Sequence, residues 1–386
     1  MSRNPLTIAV THKLSEKENV LFAKKSSELK SKTIESMLAF VLMCEGFQKS
    51  YIEDFVKNLL KDIDHSSLTT RLIRFVALLN SHVENSYISV SHCEASLGLG
   101  IQMERFQYFT FVDSLSEQAR LVFIQLREST TNISSIKIHP LVASEILEQL
   151  SAIHPQSSIA KDLLCDKVLM DHRFGRDDFL KFVRNLLTRR NRTNAGDSKD
   201  RLFSPLINHI CEEKPDGFQK ATELLEAAYT CLGDDAYIAQ LLARLFYTNN
   251  RFTEAQRWAE VAKMHLPYDS FILDTEGQVY KRWFYAQHDD LGTAENLPED
   301  ICEAIATALK GIDAFRASQK CLTPGIVSLN NSCYFGEIDV GCRLLHVISS
   351  VNTFSKKDGK PELMRLLLLV PYLVLPSWHP LENFRI

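Results

Sequence analysis

Two stretches of the chain, Gly217-Phe218-Gln219-Lys220-Ala221 and Arg251-Phe252-Thr253-Glu254-Ala255, resemble each other position by position at a distance of 34 residues. The same offset continues along both segments, pairing Phe218 with Phe252, Ala221 with Ala255, Glu226 with Glu260, Ala228 with Ala262 and Asp235 with Asp269. Self-similarity at a fixed period of roughly 20 to 50 residues is typical of stacked structural repeats. The period therefore predicts an array of antiparallel helix pairs.

The segment from Ala236 to Asp269 also fits the tetratricopeptide pattern internally. Ala243 and Ala255 are small where two antiparallel helices would cross most closely, and Phe246 would fill the wider gap one turn on. Pro267 is expected to end the second helix, because proline cannot continue one. The sequence thus predicts tetratricopeptide-like repeats in this region.

Further units are expected toward the C-terminus. Gly277 and Tyr280 occupy the small and aromatic positions of the next unit, and a polar insertion at 286–300 is expected to delay its second helix. The segment 329–351 predicts one more, degenerate pair. Terminal repeats are commonly atypical because one of their faces has to be hidden from water.

The chain before the repeats shows helical periodicity and one hairpin. The apolar run Leu121 to Leu126 and the alternating Ile136-Lys137-Ile138 flank a polar loop, which predicts a β-hairpin. A helix is expected on each side of the hairpin, and Pro140 suits the first turn of the later one. This order of elements predicts a winged-helix-like domain.

The predicted fold class is therefore mainly α, with a helical and winged-helix region followed by a tetratricopeptide-like α-solenoid of helix pairs. Its predicted parts are a charged lead-in helix at 1–32, a helical bundle at 33–86, a winged-helix-like domain at 87–150, a helical linker with a basic run at 151–200, tetratricopeptide-like repeats at 201–352 and a C-terminal segment at 353–386.

Composition narrows the range of functions. The 386 residues are 45% hydrophobic and 24% charged, which is enough apolar material for a buried core. The net charge of -4 gives no general attraction for nucleic acid or for an anionic membrane. Nine cysteines without a C-x-x-C pair predict reduced thiols and a cytoplasmic protein. The longest apolar run, Leu366 to Pro376, is about half of the roughly 20 residues that a membrane span needs, so we expect no span.

Motifs for catalysis are not found in the sequence. H-E-x-x-H and G-x-S-x-G do not occur, and the single Gly359-Lys360 pair is followed by Pro361, which does not fit a P-loop. We therefore expect no catalytic residue, no metal site and no cofactor within this chain. A nucleotide is expected only if a P-loop domain precedes it.

Three segments carry a resemblance to a known family: Leu72-Ile73-Arg74-Phe75-Val76-Ala77-Leu78-Leu79-Asn80-Ser81, Ser89-Val90-Ser91-His92-Cys93-Glu94 and Tyr334-Phe335-Gly336-Glu337-Ile338-Asp339-Val340-Gly341. With the helix repeats, the chain resembles the middle section of the sterile alpha motif domain-containing 9-like proteins. In that family a winged helix and tetratricopeptide-like repeats follow a P-loop NTPase core. The resemblance implies a regulatory part of an interferon-linked antiviral switch in innate immunity, acting in translation control or endosomal trafficking.

The resemblance also places the nucleotide-binding core before Met1. Whether the chain is a fragment, an incompletely predicted gene product or a paralogue reduced to the regulatory half stays open. Ile138-His139-Pro140-Leu141-Val142 is similar to the family's Met-His-Asp-Leu motif, with proline in place of aspartate. This implies that His139 senses nucleotide by contacting a phosphate. The alternative is a histidine at a helix start with a structural hydrogen bond.

A basic run between residues 181 and 201 is the candidate for nucleic-acid binding. Arginine side chains clustered near an aromatic residue can hold phosphates and stack on a base. The predicted patch consists of Arg184, Arg189, Arg190, Arg192 and Arg201. An RNA-binding module centred on this run is one hypothesis, and a solvated linker is the other.

The helix repeats are the candidate for protein binding. Stacked helix pairs form a concave surface lined by their first helices, which can bind a protein partner or a second copy of the chain. The residues expected to line it are Gln240, Arg244, Asn249 and Gln278. The preferred hypothesis is thus a non-catalytic regulatory and interaction scaffold.

Overall fold

Helices dominate the computed structural model, which describes residues 49–61, 63–99, 111–115, 117–127, 134–190, 202–291, 298–321 and 330–350. The prediction of a mainly α fold is confirmed. The chain divides into two units, Met1–Asp234 and Asp235–Ile386, and this division falls within the segment 201–352 that the sequence assigns to repeats. The predicted lead-in helix at 1–32 and the C-terminal segment at 353–386 lie outside the described residues.

The first unit contains helices and a small sheet. Its elements are α1 (Lys49–Leu60), α2 (Leu68–His82), β1 (Ile88–Ser89), α3 (Val90–Ser96), α4 (Glu117–Val122), β2 (Ile124–Arg127), β3 (Ser134–Lys137), α5 (Pro140–Leu150), α6 (Gln156–Cys165), α7 (Lys167–Asp171), α8 (Arg176–Thr188), α9 (Pro205–Glu212) and α10 (Gly217–Cys231).

Helix α2 is the centre of this unit. Every residue from Leu72 to Asn80 is buried, and the helix packs against both α5 and α6. Its start is capped by Ser67, whose Oγ accepts a hydrogen bond from the backbone N–H of Thr70. Near its end the Asn80 amide donates to the Ser86 carbonyl at 2.7 Å and accepts from the Ile138 N–H at 2.6 Å. The amide thus ties the helix to the segments that flank the sheet.

The sheet has three antiparallel strands in the order β1-β3-β2. Strands β2 and β3 form the predicted hairpin, with Gln125 opposite Ile136. Two details of the prediction were wrong or incomplete. Leu121 and Val122 end helix α4 instead of starting the strand, since a short apolar run fits a buried helix as well as a strand. The two-residue strand β1 is too short to leave an alternating pattern in the sequence.

The second unit consists of helices among its described residues. They are α11 (Ala236–Thr248), α12 (Phe252–His265), α13 (Ser270–Leu291), α14 (Pro298–Lys320) and α15 (Ser332–Ser350). Helix α11 packs on α12, and both contact α13; helix α13 then packs on α14, and both contact α15. We call α11, α13 and α15 the first helices and α12 and α14 the second helices. Both α11 and α13 contact the second helix that follows them and the next first helix.

The 34-residue offset recurs in the local backbone conformation. Asp216 and Asn250, which lie 34 residues apart, both adopt the left-handed region, with φ of 63° and 58°. Asp235 and Asp269 both accept hydrogen bonds at the start of a first helix, from Tyr237 N–H at 2.8 Å and Phe271 N–H at 2.9 Å. The period in the sequence therefore marks recurrent turns and helix caps.

The core of the second unit surrounds Phe315 of α14. This ring is fully buried and lies between Gly277 of α13 and Gly336 of α15. A Cβ atom at Gly277 would lie 2.5 Å from Phe315 Cδ1, and one at Gly336 would lie 2.5 Å from Phe315 Cζ. The two glycines thus provide the space that brings three helices around one ring.

Two predictions for this unit were wrong. Helix α13 continues to Leu291, so the first part of the predicted insertion at 286–300 is helical. The segment 329–351 forms the single helix α15 within its described residues and not a pair. The helix tolerates Gly336 and Gly341, because a glycine inside a helix costs only about 1 kcal/mol, and the packing of Phe315 requires Gly336. No helix of the described residues is long and apolar enough to cross a membrane.

Candidate functional site

Polar side chains connect successive first helices of the second unit. Between α11 and α13, the buried amide of Gln240 donates to the Phe271 carbonyl at 2.6 Å and to Thr275 Oγ1 at 2.8 Å. One turn on, the Arg244 guanidinium donates to the same Thr275 oxygen at 3.3 Å. Helix α11 is thus held to α13 by hydrogen bonds as well as by apolar packing.

The connection continues from α13 to α15. Gln278 donates to Ser332 Oγ at 3.3 Å. Asp274, one turn earlier, is 7% exposed, and its Oδ1 has no hydrogen-bond partner among the described residues. Burial raises the pKa of this carboxyl, while hydrogen bonds with Ser332 and Gln278 and the charge of Arg244 oppose the rise. A carboxyl group in this setting is suited to accept a further hydrogen bond from a bound molecule.

A charged pair and an aromatic ring extend the series along the same two helices. Lys281 pairs with Asp339 at 2.5 Å, and the lysine is largely covered while the aspartate is 56% exposed. The Arg343 guanidinium lies 3.9 Å from the ring centroid of Tyr285. Burial, and next the neighbouring Asp339, raise the pKa of the Tyr285 hydroxyl, which therefore stays protonated at neutral pH.

We call this series the first-helix ladder. Its side chains include cations, anions and uncharged hydrogen-bonding groups, and most of them remain half-exposed or exposed. Its members are Gln240, Arg244, Asp274, Gln278, Lys281, Tyr285, Ser332, Asp339 and Arg343.

The four residues predicted to line the repeat surface have different environments. Arg244 and Gln278 are half-buried members of the ladder. Gln240 is 5% exposed, and its amide is used between two helices, so it is a packing residue in this structure. Asn249 is exposed beyond the end of α11, and its amide donates to the Leu245 carbonyl at 2.8 Å.

Asp274, Lys281, Asp339 and Arg343 are ladder residues that the sequence analysis missed. Asp274, Gln278, Lys281 and Tyr285 follow one another at helical spacing, which is the signal that could have found one side of the ladder. The partners on α15 could not be paired with them from sequence, because the degenerate segment 329–351 does not show which of its residues lie opposite those of α13.

His139 is the N-cap of α5. Its Nδ1 accepts a hydrogen bond from the Leu141 N–H at 3.3 Å, so the neutral ring carries its proton on Nε2. Burial, and next the charge of Lys137, lower the pKa of this half-buried histidine. The hydrogen bond is the one that the structural alternative requires, and the Nε2–H remains available as a donor.

The basic run is described only in part. Arg184 is exposed on α8, Arg189 follows the end of that helix, and Arg190 is half-buried. Arg189 also forms an exposed ion pair with Glu84 at 3.6 Å. Arg192 and Arg201 lie outside the described residues, so the predicted patch of five arginines stays a prediction.

The chain is similar in sequence to one group of known proteins. No family model and no solved structure matches it. The chain is 31% identical to the mouse (Mus musculus) sterile alpha motif domain-containing protein 9-like over 363 residues, which is 91% of this chain and 22% of that protein. It is 30% identical to the human (Homo sapiens) 9-like protein over 376 residues, covering 91% of the chain and 23% of that protein.

Human (Homo sapiens) sterile alpha motif domain-containing protein 9 is 30% identical over 381 residues, which is 92% of this chain and 24% of that protein. The chain therefore spans less than a quarter of the length of each relative. The family resemblance found in the sequence is confirmed: the chain is a homologue of one section of sterile alpha motif domain-containing protein 9 and its 9-like counterpart.

Proposed function

We propose that this chain is a non-catalytic regulatory scaffold that binds a segment of a protein partner on the first-helix ladder. The observation that carries the proposal is the continuity of the ladder across α11, α13 and α15, with most of its charged and hydrogen-bonding groups half-exposed or exposed. Helix-pair arrays use such rows of first helices as binding surfaces. The ladder offers both signs of charge, which gives specificity of orientation more than strength of binding.

The buried carboxyl of Asp274 supports the same proposal. Its Oδ1 is a buried acceptor oxygen without a partner among the described residues, which destabilises the free protein, and a donor from a bound segment would remove that cost. The neighbouring Lys281–Asp339 pair and the Arg343 guanidinium would supply charged contacts on one side of it. The ladder therefore combines a desolvated central group with a charged rim, an arrangement that is common at protein interfaces.

Kinship with the sterile alpha motif domain-containing 9 proteins suggests the setting of this scaffold. We propose a part in antiviral innate immunity, through translation control or endosomal trafficking, and a cytoplasmic location. The described cysteines are free thiols, which suits a reducing compartment. We also propose that the region around the sheet is a winged-helix-like domain in which His139 senses a nucleotide held by an upstream P-loop domain, and that the second unit is a tetratricopeptide-like solenoid.

The test is a matched pair of charge reversals in the full chain. Arg343→Glu changes the ladder, and Arg257→Glu makes the same change at an exposed position of α12. Quantitative affinity purification from interferon-treated cells should show a set of partners lost with Arg343→Glu and retained with Arg257→Glu. Each such partner, once purified, should bind the wild-type chain directly. Identical partner sets for both variants would refute the use of the ladder.

RNA binding is the second candidate function. It is favoured by the exposure of Lys181 and Arg184 on α8, three residues apart and followed at the helix end by Arg189. Binding through such a patch would be electrostatic and would weaken steeply as salt is raised.

A further inference from the structure

Three nitrogen-bearing side chains of the first unit, none of them a member of the sites described above, meet inside that unit. Arg74 comes from the middle of α2, His154 follows the end of α5, and His65 lies in the turn that precedes α2. Arg74 Nη1 lies 2.6 Å from His154 Nδ1, and the rings of His65 and His154 are 5.5 Å apart between centroids. The packing of α2 against α5 brings the first two together.

The protonation state of this cluster follows from its geometry. A guanidinium can only donate, so His154 Nδ1 must accept the bond from Arg74. The neutral ring then carries its proton on Nε2. Burial, and next the charge of Arg74, lower the pKa of His154, in agreement with a neutral ring. His154 thus presents an Nε2–H donor beside a permanent positive charge.

Each member of the cluster has a buried nitrogen that lacks a hydrogen-bond partner among the described residues. These atoms are Arg74 Nε, His154 Nε2 and His65 Nδ1. Arg74 is only 7% exposed, so its unused Nε–H is covered from bulk water. Leaving a buried donor unsatisfied costs about 1–3 kcal/mol, and more for a charged group. Arg74 Nε and His154 Nε2 are both donors, and two such donors in one place indicate a site for an acceptor.

The charges around the cluster specify the kind of acceptor. Arg71, the other arginine of this helix face, is already paired with Asp166 at 3.0 Å. Burial lowers the pKa of Arg74 and the charge of Asp162 opposes this effect, yet Asp162 forms no ion pair with Arg74 among the described residues. Within the part of the chain that the structure describes, the Arg74 guanidinium is thus a buried cation with no carboxylate in ion-pair contact, which is unfavourable unless an anion compensates it.

We propose that His65, Arg74 and His154 form a binding site for a tetrahedral oxyanion of the phosphate type. Such an ion has several acceptor oxygens, so it can receive the Arg74 Nε–H and the His154 Nε2–H at the same time. Arginine is particularly suited to this role because its planar fork matches phosphate geometry. The three residues belong to the first unit and the ladder residues to the second, so this proposal does not depend on the proposed partner surface.

The experiment measures inorganic phosphate binding to the full chain by isothermal calorimetry, and by thermal unfolding at ionic strength matched with sodium chloride. Phosphate should bind with a measurable dissociation constant and raise the unfolding temperature of the first unit above the chloride control. Arg74→Lys keeps the positive charge but removes the Nε–H, and should weaken binding about tenfold or more. His154→Gln should weaken it similarly. His209→Gln, at an exposed histidine of the same unit, should bind as the wild type does.

Circular dichroism establishes that each variant is folded. If Arg74→Lys does not fold, His65→Gln replaces it, because His65 lies in a turn and is only half-buried. Equal dissociation constants for the wild type and the folded cluster variants would overturn the proposal. No effect of phosphate beyond that of chloride would do the same and would leave water as the acceptor. An equal effect of acetate would overturn the assignment to phosphate.

Discussion

Replacing Gly277 by alanine tests whether Phe315 holds α13, α14 and α15 together. Alanine favours a helix over glycine by about 1 kcal/mol, so the substitution would be stabilising if only the backbone mattered. Here the added methyl would meet three ring carbons of Phe315, at 2.5 to 2.9 Å. The ring cannot simply retreat toward α15, because Gly336 already lies against its far edge.

The expected cost follows from these two opposing effects. Overpacking of a well-filled core costs about 1–3 kcal/mol, and the confinement of the ring on both sides favours the upper end of that range. After the helix-propensity gain of about 1 kcal/mol, Gly277→Ala should destabilise the second unit by about 2 kcal/mol. Gly341→Ala is the matched control, since a Cβ there would have no neighbour within 4 Å. It should stabilise the same unit by about 1 kcal/mol.

Urea unfolding followed by tryptophan fluorescence provides the assay. Trp258 and Trp283 belong to the second unit, and a Trp378→Phe background removes the third tryptophan, so the signal reports that unit alone. A double-mutant cycle adds Phe315→Ala, which should itself cost about 3–5 kcal/mol by opening a cavity. In that background the methyl at position 277 has room, and Gly277→Ala should become stabilising. The coupling energy should therefore be about 3 kcal/mol.

Two results would refute the reasoning. Gly277→Ala could prove as stable as Gly341→Ala, which would mean that the ring adjusts at no cost. Alternatively, Gly277→Ala could cost the same with and without Phe315, which would place its effect elsewhere in α13.

Four other outcomes are expected. Burial, assisted by His172, lowers the pKa of His92 from 6.5 to about 4. Between these two pH values the unfolded chain binds more protons than the folded chain, so stability falls as the pH drops below 6.5. Urea unfolding should show that the free energy of unfolding decreases by about 2 kcal/mol between about pH 7.5 and 5, and His92→Gln should not show this decrease. Asp269→Ala removes a helix cap and should cost the second unit about 1 kcal/mol in the same fluorescence assay. If the basic run binds RNA, filter binding across a salt series should show a steep salt dependence that the triple alanine variant of Arg189, Arg190 and Arg192 loses, and an unchanged signal would exclude the patch. Calorimetry with ATP and ADP on this chain, with the proposed oxyanion site saturated by inorganic phosphate, should give no heat, and micromolar binding would show that it holds a nucleotide site of its own.

Helix positions were predictable wherever apolar residues recur at helical spacing. The helical bundle predicted at 33–86 contains α1 and α2, and the 34-residue offset paired Asp235 with Asp269, which both cap helices. The offset was informative because turns and caps restrict residue type more strongly than helix interiors do.

Contacts between distant segments could not be predicted. His65, Arg74 and His154 are separated by long stretches of sequence, and no local pattern indicates that they meet. Gln240 shows the same difficulty in another form. A glutamine on the first helix of a repeat suggested an exposed residue, but its amide is buried because α13 supplies both a carbonyl and a hydroxyl acceptor. Tertiary hydrogen bonding thus overrode an assignment based on residue type.

The position of Phe315 has a mechanical consequence for the second unit. Because one side chain from α14 lies against the backbones of both α13 and α15, a tilt of α15 has to displace the ring, and the ring in turn presses on α13. A movement of α15 can therefore be transmitted to α13 through the Phe315 ring, and the segments that connect the helices in sequence need not take part. Lengthening those segments should leave this transmission intact, whereas shortening the Phe315 side chain should interrupt it.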